Sequence, residues 1–264
     1  MQPRSVFRKT LYERRHGLLW WSVGIALFGI AILSVWPSVR DEYQKLIQSY
    51  PTALLSIIGV DKAGLGSAAG YLQAELFSIT LPLALIVYAI AGSSAVIAGE
   101  REAGVLEFLL VQPVSRRRVV LEKYLALSAS LAIITGAFAA AIMIFAPVFD
   151  LHVGAWHLLA ATVSAYLLGM LFGAVALLVS CCTNRRAVAA GVAAAAAFAA
   201  YLLSVLASLV SRLRGLRPLT PFWWYSGNNP LSHGIEPLHL GLLLGGTLLL
   251  LSAAVMMFDR QDIT

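Results

Sequence analysis

The chain has 264 residues, of which 59% are hydrophobic and only 12% charged, with a formal net charge of +6. A mean hydropathy of +0.82 is more than one soluble core can bury, which excludes an ordinary soluble domain. The continuous Leu, Ala, Val and Ile runs do not alternate as the strands of an outer-membrane barrel would, so the expected class is an all-α membrane protein in a single domain, residues 1–264.

A basic segment comes first, with Arg4, Arg8, Lys9, Arg14 and Arg15. Interspersed Phe7, Leu11, Tyr12, Leu18 and Leu19 give it an amphipathic character, so Val6 to Leu19 reads as an elbow helix at the membrane interface, anchored by Trp20 and Trp21. Such a helix serves either as a docking surface or as a lipid anchor. The apolar run Leu18–Trp36 is too long for a signal peptide and no small-residue cleavage site follows it, so it is expected to stay as span one.

About 20 apolar residues cross a hydrocarbon layer of roughly 30 Å, and the same rule predicts five further spans at Leu76–Ala98, Tyr124–Phe145, Leu158–Cys181, Ala187–Val210 and Leu238–Phe258. In the loop after span one, Tyr43, Leu46, Ile47 and Tyr50 share one helical face, and Pro51 suits the first turn of a second short helix. Two short helices on the outer surface are expected there.

Between spans two and three lies the charged insert GEREAGVLEFLLVQPVSRRR. Read as a helix from Glu100, it places Leu106, Leu109 and Leu110 on one face beside Phe108, with Glu100, Arg101, Glu102 and Glu107 as polar handles. Glu100 and Glu102 would then sit at a helix amino terminus, where negative charge is favoured, and Pro113 would end the helix after Gln112. An amphipathic helix resting on lipid has the same periodicity.

Later segments offer further candidates. Asp150, His152 and His157 could contribute to a metal site, although loop positions do not establish convergence. Gly169 and Gly173, together with the run Ala193–Ala197, permit close helix approach, either in a dimer seam or within one bundle. Adjacent Cys181 and Cys182 read as small reduced helix residues rather than a disulfide framework. Phe222, Trp223, Trp224 and Tyr225 read as an interfacial aromatic belt or a gate.

Six spans place both termini and the loops after spans two and four on one side, and thirteen of the 19 lysines and arginines fall there. The positive-inside rule makes that side cytoplasmic. No phosphate-binding GxxxxGK[ST] loop and no HExxH occur, so neither P-loop ATP hydrolysis nor zincin chemistry is expected of this chain. An intramembrane hydrolase would need a base inside the bundle, yet all five histidines fall at span ends or in loops. Mid-membrane charge is nearly absent, with Glu75 only at a span edge, so energy for transport would have to arrive from outside the spans.

The segment GEREAGVLEFLLVQPVSRRRVVLEKYLA resembles the signature of type-2 ABC transporter permeases, in which G-E-x-x-x-G-T-L-E-x-L-L precedes a P-V-S-R turn and G-K-x-x-A. Gly99, Glu100, Gly104, Leu106, Glu107, Leu109, Leu110, Pro113, Val114, Ser115, Arg116, Lys123 and Ala126 match, while Val105 and Glu122 depart. The segments YPTALLSIIGV, NNPLSHG and FDRQDI are also similar to their counterparts in the six-span subfamily. The resemblance implies a permease subunit of an exporter in the cell's inner (plasma) membrane, pairing as a homodimer with two separate ATPase subunits that bind ATP and Mg. It further implies a coupling helix carrying Glu100, Arg101, Glu102, Gly104, Glu107, Phe108, Leu109, Pro113 and Arg116, with a second contact at Asn184, Arg185 and Arg186. It assigns this chain no catalytic residue, cofactor or metal.

Overall fold

The computed structural model describes residues 6–49, 67–104, 115–227 and 229–260. Its described residues form helices and contain no strand. Six helices are long and apolar enough to cross a membrane, namely Arg15–Asp41, Ala68–Glu102, Arg116–Phe149, Ala155–Cys182, Arg186–Leu209 and Pro237–Asp259. They are called spans one to six below. A short amino-terminal helix, Val6–Glu13, precedes them, and a 3-10 segment, Ser211–Leu219, with two short helices, Pro221–Ser226 and Pro230–His233, separates spans five and six.

Spans three to six agree with the hydrophobic runs except that span three begins well before its apolar run, whereas spans one and two depart from them in instructive ways. The helix of span one continues from Arg15 to Ser49 with Pro37 inside it. The first short surface helix expected near Tyr43 is therefore an extension of span one. Loss of one amide donor at Pro37 does not end a helix whose neighbouring hydrogen bonds persist. The second short helix, expected from Pro51, lies outside the described residues.

Span two is segmented. Ala68–Leu72 begins it, with the Ser67 hydroxyl accepting from the Gly70 amide at 3.2 Å. A π turn at Gln73–Phe77 follows, then the α-helix Thr80–Ser94, a second π turn at Ala95–Gly99 and a last turn at Glu100–Glu102. Carbonyls released at the break near Ile79 cannot turn to lipid for donors. The Ser78 hydroxyl donates to Gln73 O at 2.7 Å and Thr80 to Glu75 O at 2.9 Å. Tyr225, from the segment after span five, donates its buried hydroxyl to Phe77 O. Burial pushes the Tyr225 phenol above its ordinary value, which keeps it a donor.

Spans two and four form the centre, with 72% and 67% of their apolar windows buried, against 17% for each of spans one, five and six. Small residues set that packing. A Cβ at Gly169 would lie 3.2 Å from Leu85, and one at Gly173 would lie 3.3 Å from Ala89 and 3.1 Å from Leu127. The glycine pair is thus used between spans four and two of the same chain. Ala189, Ala193 and Ala197 likewise turn a buried stripe toward the bundle, while Ala194, Ala195 and Ala196 are exposed.

The aromatic quartet packs partly on protein, with Tyr225 buried and the other three rings half-buried. Phe222 packs on Phe172 at 5.8 Å and on Tyr201 at 5.3 Å between ring centroids, and Trp223 meets His239 edge-on at 4.5 Å. Trp224 Nε1 donates to Pro218 O at 2.6 Å, and Tyr225 is buried. Each polar ring atom with a partner here finds it in protein, which is why the cluster turns inward.

Candidate coupling site at the charged end of the bundle

Five segments distant in sequence meet at one end of the bundle: the amino-terminal helix, the end of span two, the start of span three, the turn between spans four and five, and the end of span six. Glu100, in the last turn of span two, pairs with Lys123 of span three. The Lys123 side chain is 1% exposed, and Nζ also donates to Val96 O at 2.6 Å inside the second π turn. A buried ammonium is tolerable only with such partners.

Glu122 beside it reaches the other way. One carboxylate oxygen accepts from the Phe7 amide at 3.0 Å, within the first turn of the amino-terminal helix, and the other accepts from Arg118 Nε at 2.6 Å. It thereby satisfies a helix amino terminus whose first amides have no intrahelical acceptor. Arg14, between that helix and span one, donates from Nη2 to Gly92 O at 2.7 Å. Burial pulls its guanidinium below the ordinary value, opposed by Tyr88 and Glu100, and arginine remains charged throughout. The seat exists because residue 92 is glycine, since a Cβ there would lie 2.6 Å from Arg14 Nη1.

The same end also holds span five. Arg101 Nη1 donates to Asn184 Oδ1 at 3.0 Å, and Glu102 accepts from the Arg186 amide at 3.0 Å. Arg186 is the first residue of span five, so Glu102 supplies that helix with its amino-terminal acceptor. Span six is tied by Arg117, whose Nη2 lies 2.7 Å from the Asp259 carboxylate.

Of the expected coupling residues, Glu100, Arg101 and Glu102 are thus brought together with Asn184 and Arg186, with Arg185 at the edge of span five. Arg116 is the first residue of span three. Glu107, Phe108, Leu109 and Pro113 lie outside the described residues. One expectation is corrected. Glu100–Glu102 does not start a new helix but ends span two, because Gly104 adopts φ +68° and takes the chain out of the helical path. The two glutamates therefore stand at a helix carboxyl terminus, and their stabilisation comes from Lys123 and from the amino terminus of span five.

Sequence reading missed Arg14, Gly92, Arg117 and Asp259 as members of this cluster and took Lys123 only as a motif match. One signal was present: Glu122 and Lys123 are ionisable neighbours followed at once by a long apolar run, a position that calls for buried partners.

A second feature lies between spans two and five. An apolar groove of about 290 Å³ is lined by Leu83, Ile86 and Ile90 on one side, by Ala197, Phe198 and Tyr201 on the other, and by Phe222. Its two walls are the helices that Glu102 joins at the charged end. At the opposite end of the chain's spans, Asp150, His152 and His157 do not converge: among the described residues no group of three or more His, Cys, Asp or Glu is placed to hold a metal ion.

A search of curated proteins finds no match. The family described as ABC-2 family transporter protein matches residues 4–263, which takes in both the clustered charges and all six apolar helices. The chain belongs to the ABC-2 family of transporter proteins, as a multi-span membrane component.

Proposed function

We propose that this chain is the permease subunit of an ABC exporter in the cell's inner membrane, with both termini cytoplasmic, acting as a homodimer with two separate ATPase subunits that hold ATP and Mg. What carries the reading is that the end of span two, the start of span five and the amino-terminal helix are tied together where the family's ATPase would press. The connection from Gly104 to Pro113 receives the ATPase, with Asn184, Arg185 and Arg186 as a second contact. Through Glu102, displacement of the end of span two is carried to span five, and the groove between those spans changes width. The groove is the cargo path, and its apolar walls select a hydrophobic or amphipathic cargo. ATP-driven closure of the ATPase pair biases a two-state permease, and the chain itself performs no chemistry.

The test is reconstitution of the chain with its ATPase in liposomes. Vectorial cargo flux that requires ATP is the expected result. ATPase binding without flux would instead identify an adaptor. Replacing Glu107 and Phe108 by alanine is expected to abolish ATPase association while leaving thermal unfolding of the purified chain unchanged. Retained association would remove that connection from the docking surface.

A further inference from the structure

The segment Ser211–Leu219, SRLRGLRPL, is a nine-residue 3-10 helix. Such helices rarely exceed three or four residues, because their side chains eclipse every third position. Here the eclipsing is what sorts the chemistry. With three residues per turn, Leu213, Leu216 and Leu219 fall on one face, Arg214 and Arg217 on a second with Ser211, and Arg212 on the third. Leu216 is 42% exposed and Leu219 is 68% exposed. They continue the exposed apolar surface of span five through Leu202, Leu206, Leu209 and Val210. The leucines therefore extend the lipid-facing side of the bundle. Arg212 and Arg214 are exposed and Arg217 is half-buried, and among the described residues no carboxylate pairs with any of the three.

Position supports the same reading. Span five has 24 residues, which at 1.5 Å per residue span about 36 Å, so the 3-10 segment begins where hydrocarbon gives way to headgroups. An element lying there with leucines toward the acyl region and guanidinium groups toward the headgroups is matched to phosphate oxygens, which arginine binds through paired donors. Three positive charges without a carboxylate partner in the described residues leave this face complementary to a negative headgroup. We propose that this segment is a binding site for an anionic phospholipid of the surrounding leaflet, with its phosphate on Arg214 and Arg217, Arg212 adding positive charge from the neighbouring face, and its acyl chain along Leu213, Leu216 and Leu219. The site adjoins the cargo groove, since Phe222 of that groove follows Leu219 by three residues and Trp224 fastens the two segments through Pro218. It does not depend on the transport reading.

The full chain, in micelles doped with phosphatidylglycerol or phosphatidylcholine, is measured by native mass spectrometry. Wild type is expected to retain phosphatidylglycerol over phosphatidylcholine. Arg212→Gln, Arg214→Gln and Arg217→Gln together should weaken that retention roughly tenfold or more. The corresponding triple lysine variant, which keeps the charge but loses the paired donors, should fall between wild type and the glutamine variant, and Arg214→Gln alone serves if the triple variant loses its fold. Soluble glycerol phosphate should not compete, because it lacks the chain that the leucines hold. Equal retention by wild type and the glutamine variant, equal retention of the two lipids, or full displacement by glycerol phosphate would each overturn the proposal.

Discussion

At the scale of single residues, the pair formed by Glu100 and Lys123 dominates the charged end. Lys123 is almost fully buried, so removing its carboxylate leaves an uncompensated charge, at a cost of about 3–5 kcal/mol. Glu100→Ala should therefore lower thermal stability sharply, and adding Lys123→Met should recover much of the loss. A double variant no more stable than Glu100→Ala would show that the pair is not what holds spans two and three together. Arg14 and Gly92 make a second test. Arg14→Ala removes the 2.7 Å hydrogen bond, at about 1–3 kcal/mol for a charged donor, while Gly92→Ala crowds both Arg14 and Leu127, which its Cβ would meet at 2.6 and 2.7 Å. Their effects should be less than additive, because Arg14→Ala relieves the part of the Gly92→Ala clash that falls on Arg14, as a double-mutant cycle would measure.

At the scale of elements, two helices depend on a side chain from elsewhere. Glu102→Ala deprives span five of its amino-terminal acceptor, at a cost of about 0.5–2 kcal/mol. Hydrogen exchange should accelerate first at the Arg186–Ala189 amides, with the far end of span five unchanged. Tyr225→Phe leaves Phe77 O unsatisfied at the break in span two, costing about 1–3 kcal/mol, and should increase protease sensitivity of the Pro221–Ser226 helix. Much of this architecture is legible in sequence, because hydrophobic length alone places a span. Spans four, five and six could be bounded to within a few residues on that basis. What hydropathy does not register is backbone accommodation. The continuation of span one past Pro37, the two π turns of span two and the inward turn of Trp223 and Tyr225 all depend on which partners a neighbouring helix offers. Glu102 was legible as a charged handle but not as a cap, since its acceptor role requires Arg186, which is distant in sequence.

At the scale of the whole molecule, the glycine pair and one alanine stripe are used inside the chain, while Ala194, Ala195 and Ala196 stay exposed. Gly169 and Gly173 seat span two, and the buried alanine stripe of span five faces the same core. Gly169→Leu should therefore destabilise the fold of the chain itself, read as a lowered melting temperature. The groove between spans two and five gives the global test of the proposed coupling. Cysteines placed at Leu83 or Phe198 should change their reactivity toward a thiol reagent when ATP is added to the complex with the ATPase. A cysteine at Ala174, buried in the centre, should not. Equal behaviour at all three positions would separate the groove from the ATP-driven transition.

The charged end also imposes an order on synthesis. Glu100 and Lys123 are 23 residues apart in the chain, so spans two and three can close into a hairpin soon after the ribosome has made them, and Lys123 has its counter-ion before the later spans exist. Arg117 and Asp259 are separated by 142 residues, and their contact has to wait for the last span. Glu122 meets Phe7, 115 residues earlier, so this tie forms only once span three has arrived, whereas Arg14 can reach Gly92 as soon as span two exists. The separations thus fix the earliest moment at which each contact can form, and a truncation before Asp259 should leave the Glu100 and Lys123 pair intact while removing the Arg117 contact, as crosslinking of the truncated chain would check.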